Sequence, residues 1–113
     1  MTLYDSSVLI DYLDGRDDAV APPLVLYEVF KSGPADFDAV DGALEWLVVL
    51  DETPELARAA AELQDDLANS GQALSARDTY IAGSAKGPGE RLAASNADFD
   101  VPGITDALDV DIV

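Results

Sequence analysis

The sequence predicts an α/β layer fold with a mostly parallel sheet. Three observations carry that prediction. Short apolar runs of strand length alternate with segments whose apolar residues recur every three or four positions. Gly and Pro fall between these segments, where turns are needed. And 49% of the 113 residues are hydrophobic, 18 of them Ala, which is enough for one core in a single domain spanning 1–113.

The elements follow in order. Leu3-Tyr4 reads as a short strand ending at Asp5. Ser6 or Ser7 can cap a helix from Val8 to Leu13, closed by Gly15, with Val8, Leu9, Tyr12 and Leu13 at helical spacing. Arg16 to Asp18 is a polar loop, and Ala19 to Ala21 a second strand stopped by Pro22-Pro23. Proline is tolerated in a first helical turn, so Pro23 to Lys31 can be a helix ending at Gly33-Pro34; a strand at Leu24 to Leu26 is the alternative. Phe37, Val40, Leu44 and Leu47 place a helix over Asp36 to Trp46. Leu47-Val48-Val49-Leu50 is a continuous apolar run, suited to a strand buried on both faces. Pro54 opens the clearest helix, to about Asn69, with Leu56, Ala60, Leu63 and Leu67 on one face and Gly71 past its end. A further helix runs from near Ser75 to Ala85, followed by the turn Gly87-Pro88-Gly89. Arg91 to Ala94 is a strand, Ser95 to Gly103 a loop, and Val110 to Val113 a last strand.

Composition excludes several classes. The chain has 23 Asp and Glu against 6 Lys and Arg, a net charge of −17, and no basic run, which argues against nucleic-acid binding driven by a basic face. A disordered acidic tail is excluded as well, because such tails lack apolar residues. Without Cys or His there is no disulfide, thiolate site, His-based triad or His-containing zinc site. No apolar run approaches the roughly 18 residues of a membrane span, and Met1 to Asp5 lacks the basic start of a signal peptide. A cytoplasmic protein is expected. A core-bearing chain rich in Asp and poor in Lys points to a salt-accumulating halophile, haloarchaeal in type, where salt screens the carboxylates to a Debye length of about 3 Å at 1 M.

Among so many acids, the informative ones stand in apolar surroundings or at strand ends. Asp5 sits at a strand-to-helix junction, where helix capping is the plain reading. Glu28 is the only charge in Leu24 to Phe30, where a carboxylate is costly unless paired or metal-bound; pointing outward beside Lys31 and Ser32 is the alternative. Asp78 fits a capping box opened by Ser75, a role compatible with metal binding. Asp98 follows a predicted strand, in a loop where an Asx turn is the plain reading. Three of the four follow a predicted strand or open a helix, where an α/β sheet presents its site. Carboxylates without His or Cys suit Mg²⁺ or Mn²⁺, whose chemistry at phosphodiesters works through a metal-activated water and a stabilised leaving oxygen.

Four segments carry a family resemblance. Tyr4-Asp5-Ser6-Ser7-Val8-Leu9-Ile10-Asp11-Tyr12-Leu13 resembles the first motif of PIN-domain ribonucleases, VapC toxins in particular. Leu26-Tyr27-Glu28-Val29-Phe30-Lys31-Ser32-Gly33 resembles the second. Leu74-Ser75-Ala76-Arg77-Asp78-Thr79-Tyr80-Ile81-Ala82-Gly83-Ser84-Ala85 resembles the third, and Ala94-Ser95-Asn96-Ala97-Asp98-Phe99 the fourth, with Val101-Pro102-Gly103-Ile104 after it. The resemblance implies a PIN-like three-layer α/β/α domain with a short, mainly parallel sheet. It implies that Asp5, Glu28, Asp78 and Asp98 are catalytic and converge on Mg²⁺ or Mn²⁺, with Asp100 or Asn96 able to share the role of Asp98. Ser6 would support Asp5, Ser95 would stand where relatives carry Thr, and Asn96 would support the fourth motif. Arg77 is the best candidate for a phosphate contact; pairing with a surplus surface acid is the alternative.

The activity implied is metal-dependent RNA endonucleolysis leaving 5′-phosphate and 3′-hydroxyl ends. The partners implied are RNA, a VapB-like antitoxin and a second copy of the chain, with Leu9, Tyr12, Leu13 or Trp46 as interface candidates if they are not core. Housekeeping RNA maturation, or a degenerate PIN-like interaction module, are the alternative roles.

Overall fold

Strand-forming residues occupy the centre of the molecule. A computed structural model describes residues 1–13, 15, 17–32, 36–72 and 74–113. Among these, β1 (Thr2–Tyr4), β2 (Ala19–Ala21), β3 (Val48–Val49), β4 (Arg91–Ala94) and β5 (Val110–Ile112) form one sheet in the order β3-β2-β1-β4-β5. Every pairing is parallel, with Leu3 opposite Val20 on one side and Leu92 on the other. The connecting helices are α1 (Ser6–Leu9), α2 (Pro23–Ser32), α3 (Phe37–Ala43), α4 (Pro54–Asn69), α5 (Ala76–Lys86) and α6 (Pro102–Thr105). The result is the α/β/α layering expected, with the sheet wholly rather than mainly parallel. No described helix is long and apolar enough to cross a membrane.

The central strands are covered on both faces, as parallel sheets require. Leu3, Val20, Ala21, Leu92 and Ala94 are fully buried and meet Ile81, Phe99 and Ile104 in a common core. Each fully buried Leu contributes about 1.5–3 kcal/mol by leaving water. The sheet order places a topological switch between β1 and β4: the chain leaves β1 toward β2 on one side and β4 toward β5 on the other. Crevices form at such a point, beyond the carboxyl ends of the strands.

Several expectations shift. The helix read as Val8 to Leu13 is α1 followed by a 3-10 turn, Ile10–Tyr12. α2 forms as a helix, so the strand alternative at Leu24 to Leu26 is not taken; its expected stop at Gly33-Pro34 lies outside the described residues, as does Arg16. α3 ends at Ala43 rather than Trp46, yet Val40, Leu44 and Leu47 are buried, because tight turns continue the same apolar face inward.

β3 is not buried on both faces. It is an edge strand, and Val48 and Val49 remain 48% and 47% exposed. Leu44 and Leu47 fill the core places beside it. The expected loop Ser95 to Gly103 contains a 3-10 turn, Ala97–Phe99, and the start of α6. Leu9 is fully buried, and Leu13 and Trp46 pack against the core, so none of the three is free apolar surface. Tyr12 stacks edge-on against Tyr4 at 5.6 Å. The large apolar side chains that do face solvent include Tyr27 and Phe37.

Two helices lock the site's second half in place. α4 starts at a Thr53 cap followed by Pro54 and buries Leu56, Ala60, Leu63 and Leu67, the four residues its periodicity singled out. α5 is buried nearly all round from Asp78 to Ala85. It lies so close to α4 that a Cβ on Gly83 would stand 2.5 Å from the Ala60 Cα.

Candidate active site

Three of the four singled-out acids are brought together. Asp5 ends β1. Its N–H donates to the Ala93 carbonyl of β4 at 3.0 Å, and its carboxylate caps α1 by accepting from the Ser6 N–H at 2.7 Å. Capping and a place in the cluster around Arg77 thus coexist in a side chain that is almost wholly buried. Asp78 lies in the first turn of α5. The Ser75 hydroxyl accepts from its N–H at 3.1 Å, which fixes the backbone and leaves the carboxylate free to point elsewhere. Glu28 stands in α2 between the core residues Val25 and Val29. Its carboxylate turns inward to the cluster rather than outward along an edge with Ser32.

Arg77 joins them. Its Nε and Nη2 donate to the two oxygens of Glu28 at 2.8 and 2.5 Å. Nη2 also donates to Asp5 Oδ1 at 2.6 Å and to the Ser6 hydroxyl at 3.1 Å. Nη1 donates to Asp78 Oδ1 at 2.6 Å and to Asp5 Oδ2 at 3.4 Å. Charge-assisted, partly bidentate bonds of this kind are the strong ones. The pairing expected as an alternative for Arg77 does occur, but with the acids of the site rather than with surplus surface acids. The signal in the sequence was its adjacency to Asp78; the other partners lie 49 and 72 positions away.

The electrostatics follow from this geometry. The Arg77 fork, aided by the Ser6 hydroxyl and Lys31, holds the Glu28 carboxyl below the usual glutamate range, against the opposing push of partial burial. In return Glu28, then Asp5 and Asp78, hold Arg77 firmly protonated. Three carboxylates against one guanidinium leave two negative charges uncompensated.

The fourth motif occupies the other side of the switch point. The Ser95 hydroxyl donates to the Ser7 hydroxyl at 2.6 Å, tying the end of β4 to α1. Ser7 was singled out only as a possible cap. Asn96 Oδ1 accepts from the Asp98 N–H at 2.9 Å, the Asx turn expected there. Asp98 and Asp100 are exposed, and neither is among the partners of Arg77. The structure therefore unites Asp5, Glu28 and Asp78 around Arg77, and leaves Asp98 exposed and outside that set of bonds.

The donor set suits a hard divalent cation. It is all oxygen, mainly carboxylate, and it carries excess negative charge. Its spacing is another matter: among the described residues, no three acids are grouped so as to hold a metal ion. The Arg77 guanidinium stands among Asp5, Glu28 and Asp78, bonded to all three.

No family model matches this chain, and no curated protein matches it by sequence. Solved structures do match in fold. DNA-bound VapBC from Salmonella typhimurium aligns over 98% of this chain and 96% of the other, with a TM-score of 0.78 and 18% identity. VapBC2 from Rickettsia felis, bound to a DNA fragment from their promoter, covers 99% and 98%, with a TM-score of 0.75 and 17% identity. VapBC-5 from Mycobacterium tuberculosis, a member of the VapBC family of toxin-antitoxin systems, covers 99% and 96%, with a TM-score of 0.72 and 24% identity. The whole of this chain thus shares its PIN-like architecture with chains of toxin-antitoxin complexes.

Proposed function

We propose that this chain is a VapC-type toxin, a PIN-domain endoribonuclease that cleaves RNA with Mg²⁺ or Mn²⁺. The observation that carries the reading is the convergence of Asp5, Glu28 and Asp78, from three separate elements, on one half-buried point beyond the carboxyl ends of the strands. A carboxylate cluster at a switch point is costly to the fold unless a cation uses it. The likeness to VapBC chains supports the toxin role.

In this reading Asp5, Glu28 and Asp78 hold the ion, and Asp98 completes the set from the β4 side, with Asn96 and Asp100 beside it. When bound, the ion supplies an activated water and stabilises charge on the leaving 3′-oxygen. Ser6 keeps Asp5 oriented through its N–H. Ser95 fixes the fourth motif to α1. Arg77 offers a fork that matches a phosphate. No histidine exists to serve as general base, so a carboxylate or solvent takes the proton. A VapB-like antitoxin and a second copy of the chain are the protein partners, with exposed Tyr27, Phe37, Val48 and Val49 as apolar surface for either.

The test is cleavage of single-stranded RNA by the purified protein in molar KCl with Mg²⁺. We expect 5′-phosphate and 3′-hydroxyl ends, complete loss with EDTA, and a fall of about a hundredfold or more in Asp78→Asn, with circular dichroism unchanged. Activity that survives EDTA, or equal rates in the mutant, overturns the mechanism. Growth arrest on expression, relieved by a small reading frame just upstream, distinguishes a toxin from a housekeeping nuclease.

A further inference from the structure

All the hydrogen bonds of the Arg77 guanidinium described above run inward, to Glu28, Asp5, Asp78 and Ser6. The three carboxylates it touches are those assigned above to the ion, so it stands at the point they share. Among the described residues, no three acids are grouped so as to hold a metal in this arrangement.

Three features allow it to leave. Its side chain is 32% exposed, so it lies at the mouth of the site and is not sealed in. Its backbone is anchored independently, by the Ser75 cap on the neighbouring Asp78 N–H. And the site's residual charge of two negatives favours a dication over a single guanidinium.

We infer that Arg77 is a displaceable built-in counter-ion. It holds Asp5, Glu28 and Asp78 together while no divalent cation is present, and it is exchanged for the cation when one binds. The two cannot share the cluster, because like charges at hydrogen-bond range repel. Once displaced, the guanidinium stays tethered in the first turn of α5, at the mouth, where its fork can engage a phosphate. The counter-ion and phosphate-binding roles are then successive positions of one side chain. The inference rests on the metal-dependent reading above.

The experiment is a calorimetric titration of the full chain with Mn²⁺ in molar KCl, for wild type, Arg77→Gln and Arg77→Lys. We expect Arg77→Gln to bind Mn²⁺ about tenfold or more tightly than wild type, because no charge-assisted bonds need to break. Arg77→Lys should fall between them. Equal affinity in wild type and Arg77→Gln overturns the exchange while the metal-dependent reading stands. No saturable binding in any variant overturns both. Should Arg77→Gln fail to fold, the wild type gives its own answer. The Arg77 Nε–H signal in proton–nitrogen spectra, protected by Glu28, should lose its protection from solvent exchange as Mg²⁺ is added. Protection unchanged at saturating Mg²⁺ overturns the inference.

Discussion

Glu28 titrates under the control of Arg77, and the sign of the effect is fixed by the geometry. Its folded value lies below the ordinary one, so the stability it contributes is complete above the usual glutamate value of about 4.3 and is lost as pH falls through the depressed folded value. Glu28→Gln should therefore be less stable than wild type at neutral pH, with the gap closing on acidification. Urea unfolding of both proteins across pH 7 to 3 checks this, and a gap independent of pH counts against it. Glu28 was legible in the sequence because it was the only charge in an apolar run. Asp5 and Asp78 were legible because they stand where a strand ends and a helix opens. The partners of Arg77 were not, because bonds spanning 49 and 72 positions leave no local trace.

α5 shows what periodicity misses. Packed on α4 and buried from Asp78 through Ala85 except at Tyr80, it has no continuous polar face, so its position was readable from the Ser75 cap and not from its pattern. α4, with one exposed side, gave its buried face directly. β3 misled for a related reason: a run of four apolar residues has the composition of a central strand, but nothing in it tells an edge from a centre. The contact between Gly83 and Ala60 was equally silent, since a helical glycine gives no sign of what lies opposite. Its consequence can be measured. A Cβ at Gly83 would meet the Ala60 Cα, N and Cβ at 2.5 to 2.7 Å, and two of those atoms are backbone. Gly83→Ala should cost about 1–3 kcal/mol by forcing α5 off α4, and RNA cleavage should fall with it, because Arg77 and Asp78 ride on α5. Adding Ala60→Gly should recover only part of the loss, and full recovery in thermal melts would contradict backbone contact as the cause.

The charge of −17 is spread over a chain with only six cations, so the fold works against its own repulsion. Raising KCl from about 0.1 M to 1 M shortens the Debye length from about 10 Å to 3 Å. The melting temperature should rise across that range, and more steeply than in a variant with surface acids such as Asp65 and Asp66 changed to Asn. A flat response would contradict this account of the composition. The parallel sheet has a consequence of another kind. β1 pairs on one side with β4, which follows it in the chain after β2 and β3, and Asp5 waits 72 positions for its guanidinium. Closing so long a loop is slow, and no local hairpin can shorten it. A nascent chain on the ribosome carries the acids of its first two motifs without their cation and without the strand that flanks them. For a protein whose proposed activity destroys RNA, the cluster of acids cannot assemble until α5 has been made.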